Sequence, residues 1–387
     1  MTVPDSAVAG PDGPDGPDFT AEQIARGRAL RQAAVRVAAG SWAVSTALLL
    51  GLGLTSAGAD LVGAFGDAWA LRVVGAGLTL VLLPQLAGLP FAAWGRVVRD
   101  RFGLVTQGWG GWAVDQLRGL LVSLPLVLGA LFGVYALAGV TRWWWAWAAL
   151  GAAVVTLALS FLAPLVFEPL FNTFTPMGEG SLRDALLGLA ERDGVRVREV
   201  LVADASRRTT ALNAYVSGFG RTRRIVAYDT LLSTAEPGEV ELVVAHELGH
   251  VVHRDVARGT VLGAIGAGIG VCVLAAVVSW SSLLDLAGVE RFADPRSAWL
   301  LAATAAVGSA LVGPFGRALS RRVEHRADLH ALDLTQEPAE FIAMQRRLTL
   351  TNVSDPSPPP LLHLLLGTHP TPSSRIATAR AWRSARG

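Results

Sequence analysis

The chain has 387 residues, of which 52% are hydrophobic and only 17% are charged. Water-soluble domains carry about 25% charged residues, so this composition excludes an ordinary soluble protein and indicates several membrane spans. The formal net charge of +2 is too small to indicate nucleic acid or another polyanion as a partner. The single cysteine, Cys272, excludes an intramolecular disulfide.

The N-terminal part combines a polar segment with long apolar runs. Residues 1–18 repeat Gly, Pro and Asp, which predicts a disordered tail. Residues 19–167 predict a polar amphipathic helix over 19–39 and then four membrane helices, and residues 256–316 predict two more. The six predicted spans are 41–64, 70–93, 119–140, 143–166, 259–280 and 297–316.

Two more polar parts flank the last pair of spans, at residues 168–255 and 317–387. Apolar spacing in the first part predicts a helix over 181–192, with Ser181 as its N-cap. Alternating and β-branched stretches predict three short strands. These strands are 200–203, 213–219 and 224–228.

The first polar part contains an H-E-x-x-H motif formed by His246, Glu247 and His250. Residues four apart share one face of a helix, so both imidazoles can bind one metal ion, and zinc suits such ligands. Glu247 can then take a proton from a water on that metal. The alternative is an amphipathic helix with two surface histidines. Apolar neighbours on both sides disfavour it, because they predict a buried helix whose polar groups need partners.

Two histidines leave one protein ligand to be found. A metzincin would place Gly three residues and His six residues after His250, but His253 and Val256 stand there, which excludes that class. Glu324, beyond the sixth span, can complete a two-His, one-Glu site, and Asp328 one helical turn later can hold a ligand imidazole. From composition alone, an ordinary charged helix next to the membrane remains an equal alternative.

Further motifs resemble the integral-membrane zinc metalloproteases that include the type I (Ste-type) CAAX prenyl endopeptidases and, more distantly, the HtpX heat-shock protease. The resemblance covers about residues 80–380. It implies a mainly α fold: a polytopic membrane helical bundle of about six spans, with a zincin-like (gluzincin) α+β catalytic domain carrying a small β-sheet. The segments that carry it, besides the zinc motif and Glu324 with Asp328, are 168–176, 206–208, 213–219, 224–232, 352–356, 368–370 and 375–376.

Carried over residue by residue, the resemblance implies a metal centre with one zinc ion per chain. His246, His250 and Glu324 would be the ligands. Glu247 would act as general base and then as general acid. Asp328 would orient a ligand from outside the first coordination shell.

The resemblance also implies substrate contacts. Asn213, Ala214 and Tyr215 would offer a strand edge to an extended peptide. His369 would stabilise the tetrahedral oxyanion, and Arg375 would lie nearby and contribute to substrate binding. The expected partners are a peptide or protein substrate, lipidated or inserted in the membrane, and the lipid bilayer. No nucleic acid is expected.

The predicted function is therefore that of a membrane-embedded zinc metalloendopeptidase similar to the CAAX prenyl proteases. One alternative is a quality-control protease similar to HtpX. Another is a catalytically silent scaffold or chaperone, which the intact Glu247 disfavours. A transporter would need ionisable residues inside its spans, and the apolar runs have almost none.

The arginines predict the orientation. The loop at 94–118 carries Arg96, Arg99, Arg101 and Arg118, whereas the loop at 57–70 on the other side has none. The positive-inside rule then places both termini and the catalytic parts in the cytoplasm of a bacterium, with the spans in its inner membrane. Because both ligand segments adjoin predicted spans, we expect the metal at the cytoplasmic membrane face.

Overall fold

The computed structural model describes residues 18–386. The disordered tail predicted for residues 1–18 therefore lies outside the described residues, apart from Asp18. Its carboxylate accepts hydrogen bonds from Arg346 Nη2 at 2.7 Å and from Arg380 Nη1 at 2.9 Å. These two ion pairs attach the start of the described chain to its C-terminal helices.

The mainly helical fold agrees with the prediction, and six described helices are long and apolar enough to cross a membrane. Four of these lie in the N-terminal part. The helices up to the sheet are α1 (Ala21–Gly53), α2 (Ser56–Gly63), α3 (Trp69–Arg101), α4 (Trp109–Val140), α5 (Trp144–Leu162) and α6 (Glu168–Phe171), with a π-helical turn at Ala163–Phe167 between the last two.

The predicted boundary between the amphipathic helix and the first span is wrong. The amphipathic helix at 19–39 and most of the span at 41–64 form the single helix α1, and the rest of the run is α2. Thr55 separates them, because its Oγ1 accepts a hydrogen bond from the Ala57 N–H at 3.3 Å and caps α2. A Cβ on Gly58 would lie only 2.8 Å from the Trp299 Cβ, so one face of α2 packs tightly against the protein. Hydropathy alone cannot distinguish a helix with such a buried face from a lipid-exposed one.

A four-stranded sheet forms the β part, in the order β1-β2-β4-β3. The three predicted strands exist with small shifts, and a fourth, β1, was not predicted. β2 pairs parallel with β4, and the other two pairings are antiparallel. Because β3 stands last in the strand order, it is an edge strand. The strands are β1 (Phe174–Pro176), β2 (Glu199–Ala203), β3 (Ala214–Ser217) and β4 (Arg224–Tyr228).

The remaining helices surround the sheet and rejoin the membrane bundle. The predicted helix at 181–192 is present, but Gly180 stands at its N-cap and Ser181 is its first residue. These helices are α7 (Ser181–Arg192), α8 (Asp229–Leu232), α9 (Pro237–Val252), α10 (Asp255–Val278), α11 (Ser281–Leu286), α12 (Ala298–Thr335), α13 (Pro338–Thr351), α14 (Pro360–Leu366) and α15 (Pro372–Ser384).

Helices α9 and α12 bring the two polar parts of the chain together. Helix α9 starts with Pro237 after a capping box between Glu236 and Glu239, and its apolar face joins a core that includes Leu332 of α12. Helix α12 is continuous from the sixth span through Glu324 and Asp328. The fifth span, α10, begins two residues after α9 is capped by His253. Both helices that carry the predicted metal ligands are therefore joined directly to membrane spans.

Candidate active site

The H-E-x-x-H motif lies on α9, as predicted. The rings of His246 and His250 are 5.0 Å apart between centroids. One potential ligand atom from each of His246, Glu247 and His250 lies within 4.8 Å of the others. The apolar residues around the motif are buried, and both imidazoles project from the same face of α9.

Glu324 reaches this pair of imidazoles from α12. Its Oε2 lies 3.3 Å from His246 Nε2, and its Oε1 lies 3.7 Å from His250 Nε2. Metal–ligand distances of about 2.0–2.2 Å in a tetrahedral site leave neighbouring donors roughly 3.3–3.6 Å apart. Two imidazole nitrogens and a carboxylate at these separations fit a divalent metal ion with room for a further ligand.

The outer nitrogen of His246 is held by Asp328. His246 Nδ1 lies 3.0 Å from Asp328 Oδ1, and the Asp328 side chain is fully buried. Arg375 in turn donates from its Nε to Asp328 Oδ2 at 2.8 Å. Its guanidinium thus neutralises the buried aspartate beside His246, and the substrate-binding role predicted for Arg375 stays a prediction.

The outer nitrogen of His250 has an aspartate partner that the sequence analysis missed. Asp255 Oδ2 lies 3.0 Å from His250 Nδ1, and Asp255 Oδ1 forms an ion pair with Arg326. The available signal was an aspartate five residues after the second histidine, a few residues before the predicted span at 259–280. Helical spacing alone could not reveal this contact, because it depends on the left-handed Arg254 (φ 55°) between α9 and α10.

His369 approaches the centre from the loop between α14 and α15. Its Nε2 lies 3.3 Å from Glu324 Oε2, and its Nδ1 lies 2.9 Å from the Thr368 hydroxyl. The His369 side chain is 58% exposed, so it borders open space beside the predicted ligands. Of the sequence motifs, only the family resemblance pointed to this histidine.

The surroundings shift the pKa values of several of these groups, among them Glu247, His369 and His246. Burial raises the pKa of the Glu247 carboxyl above its usual value, which strengthens it as a base. Burial lowers the pKa of His369, which favours its neutral form. For His246, burial acts to lower the pKa, but the hydrogen bonds to Asp328 and Glu324 outweigh it and raise the pKa to about 9.

The strand edge predicted from 213–215 exists as β3. The Tyr228 N–H donates to the Asn213 carbonyl at 3.0 Å, and the register pairs Tyr215 with Val226. In an antiparallel ladder the hydrogen-bonded positions alternate. Asn213 and Tyr215 therefore direct their backbone groups at β4, whereas Ala214 and Val216 direct theirs at the open edge.

Two further residues that sequence reasoning did not select fix this edge. Asn352 Oδ1 accepts a hydrogen bond from the Leu212 N–H at 3.0 Å, just before β3 begins. Glu168 accepts hydrogen bonds from the Ser217 hydroxyl at 3.0 Å and from the Tyr215 hydroxyl at 3.4 Å. Both residues lie in segments of the family resemblance, but their roles depend on contacts between distant parts of the chain.

The fold and the site define an integral-membrane metalloendopeptidase: a bundle of spans joined to a zincin-like domain with two histidines and a glutamate at one point. Two family models match the chain. "Peptidase family M48" matches residues 176–383, and "CAAX prenyl protease N-terminal, five membrane helices" matches residues 19–173. The chain belongs to peptidase family M48.

Individual relatives agree with this assignment. The chain is 30% identical to "Uncharacterized metalloprotease YhfN" of Bacillus subtilis over 80% of its own length and 73% of the relative's. It is 32% identical to "CAAX prenyl protease 1 homolog" of Oryza sativa over 44% and 41%. The crystal structure of S. mikatae Ste24p superposes with a TM-score of 0.83, covering 93% of this chain and 90% of that chain at 20% identity. This last likeness establishes the shared fold.

Proposed function

We propose that the metal is zinc, bound by His246, His250 and Glu324, and that the enzyme cleaves peptides at the membrane surface. The observation that carries this proposal is the approach of both Nε2 atoms to one carboxylate, at 3.3 and 3.7 Å. Two imidazoles with one carboxylate are a common ligand set of catalytic zinc. Metal analysis of the purified protein, with one zinc expected per chain, tests the assignment.

Each residue of the site has a separate role in the proposed reaction. Zinc, when bound, acidifies the attacking water and polarises the scissile carbonyl. Glu247, a half-buried carboxylate with a raised pKa, takes the proton from the attacking water and passes it to the leaving amine. The Glu324 carboxylate, which only accepts hydrogen bonds, lies 3.3 Å from His369 Nε2. Neutral His369 therefore carries its proton on Nε2, accepts from the Thr368 hydroxyl at Nδ1, and can donate the Nε2 proton as a hydrogen bond to the oxyanion.

His369→Ala tests the oxyanion role. Loss of one oxyanion donor should lower kcat by about 10²–10³-fold, while the zinc content stays at the wild-type level. His363→Ala, on the preceding helix α14, is the matched control and should retain wild-type kcat. An unchanged kcat for His369→Ala would remove this residue from the mechanism.

The open edge of β3 provides the substrate site in this proposal. An extended peptide can pair with the outward backbone groups of Ala214 and Val216, as in other strand-adding sites. Val216→Pro removes one of these N–H groups without removing a bond to β4, which an edge strand tolerates. We expect KM to rise about 10-fold or more, since a lost hydrogen bond is worth about 0.5–1.5 kcal/mol and the ring also hinders pairing.

Tyr215→Pro serves as the comparison for Val216→Pro, because the N–H of Tyr215 faces β4 and not the open edge. It should lower thermal stability through loss of a ladder bond, whereas Val216→Pro should unfold close to the wild-type temperature. A wild-type KM in stable Val216→Pro enzyme would show that substrate does not pair there.

For the natural substrate, we propose the lipidated C-terminal peptides implied by the names of the plant and yeast relatives, which are CAAX prenyl proteases. These names favour this substrate class over a quality-control role. We also propose that the spans lie in a bacterial inner membrane with the catalytic parts on the cytoplasmic side, since the arginines concentrate there. Cleavage of a farnesylated CAAX peptide, compared with the same peptide without its lipid, tests the substrate class.

A further inference from the structure

We propose that Asp255 is a positioning residue for the metal centre: it orients His250 and fixes which ring nitrogen faces the metal. The inference rests on the proposed ligand set of His246, His250 and Glu324. It adds a residue that lies outside the H-E-x-x-H motif and belongs to a membrane span.

The first support is the geometry of the His250 ring. Nε2 faces Glu324 Oε1 at 3.7 Å, and Nδ1 faces Asp255 Oδ2 at 3.0 Å. A carboxylate only accepts hydrogen bonds, so the neutral imidazole must carry its proton on Nδ1. The lone pair on Nε2 is then free for the metal. Asp255 thus selects the tautomer that binding requires.

The second support is that Asp255 is itself held in place. Its side chain is only 7% exposed, and its Oδ1 pairs with the guanidinium of Arg326. A buried carboxylate without such a partner would be costly. Because Arg326 lies on α12 two residues after Glu324, the helix that supplies the third ligand also anchors the carboxylate behind the second.

The third support is a repeat of the same arrangement at the other ligand. His246 Nδ1 faces Asp328 at 3.0 Å, and Asp328 is paired with Arg375. Each imidazole is therefore backed by a buried aspartate, and each aspartate by an arginine. Four different parts of the chain contribute these two sets, so the likeness does not follow from a local repeat.

The position of Asp255 links the site to the membrane bundle. It is the first residue of α10, the fifth span, and Arg326 belongs to the helix of the sixth. His250 is thus oriented by contacts that depend on the relative placement of two spans. Asp255 also lies in the first turn of a helix, where an acidic residue stabilises the helix dipole, so the test must separate the two roles.

Asp255→Ala and Asp255→Asn are compared with wild type by zinc release to a chelator and by the visible spectrum of the cobalt-substituted protein. We expect Asp255→Ala to bind zinc about 10–100-fold more weakly and to change the cobalt spectrum. Asp255→Asn keeps the size and one acceptor oxygen, so a smaller loss is expected. Since it is nearly isosteric, it also serves if the alanine variant does not fold.

Asp193→Asn is the matched control, because Asp193 Oδ2 lies 2.9 Å from His330 Nε2, a similar pair outside the metal centre. It should leave zinc release and the cobalt spectrum unchanged. Wild-type zinc release and cobalt spectra in both Asp255 variants would overturn the proposal, provided that Glu324→Ala loses zinc. If Glu324→Ala also retains zinc, the proposed ligand set itself is wrong.

Discussion

Glu247→Gln should abolish proteolysis while the metal remains bound. The amide keeps the size of the carboxylate but cannot accept a proton from the attacking water. Loss of general acid–base catalysis alone costs about 10²–10⁴-fold. We expect a larger loss here, because water activation and protonation of the leaving amine depend on the same carboxylate.

The structure explains why no neighbour should replace Glu247. Glu324 is engaged with both histidines at 3.3 and 3.7 Å, and Asp328 is engaged with His246 and Arg375. Single-turnover cleavage of a membrane-reconstituted peptide substrate, together with metal analysis of the same preparation, measures both parts of the prediction.

Glu241→Gln provides the control, since it makes the same chemical change six residues earlier on α9. It should retain wild-type activity and metal content. A Glu247→Gln enzyme that holds its metal and still turns over at more than about one hundredth of the wild-type rate would exclude Glu247 as the base.

The parts of the site that the sequence predicted are those set by local spacing or by a whole motif. His246, Glu247 and His250 follow from helical geometry, because residues four apart must share a face. Glu324 was a candidate among charged residues of a helix near the membrane, and the family resemblance was needed to select it. Nothing in the spacing of the chain requires α12 to lie beside α9.

The residues that were missed act through contacts set by the tertiary fold. Asp255 reaches His250 only because Arg254 adopts a left-handed conformation, which few residue types other than glycine favour. Asn352 fixes the start of β3 across 140 positions of sequence. Such pairings depend on how helices pack, which a single sequence does not encode in any periodic pattern.

For the membrane spans too, local composition predicted the number of helices, but a boundary that depends on tertiary packing was missed. Six apolar runs predicted six spans, and six described helices are long and apolar enough. The boundary of the first was wrong because α2 is apolar for a different reason: Ala59 and Val62 are buried against protein. Apolar composition reports burial from water, whether the surroundings are lipid or protein.

Glu324→Ala should release the metal. The variant leaves two imidazoles that face a gap where the carboxylate stood, and two protein ligands hold zinc far more weakly than three. Removal of a residue that only hydrogen-bonds to a metal ligand costs about 10–100-fold in metal affinity, so loss of a direct ligand should cost about 100-fold or more. Equilibrium titration with a competing chelator measures this affinity, and proteolysis should fall in parallel.

Two companion variants make the Glu324 result specific. Glu324→Asp keeps the carboxylate but shortens its reach by one methylene, so it should bind zinc with an affinity between those of the wild type and the alanine variant. His325→Ala removes the adjacent imidazole, which is exposed on α12, and should bind zinc normally. A Glu324→Ala protein with wild-type zinc affinity and activity would show that another residue is the third ligand. Zinc loss in His325→Ala equal to that in Glu324→Ala would point to damage of the helix instead of loss of a ligand.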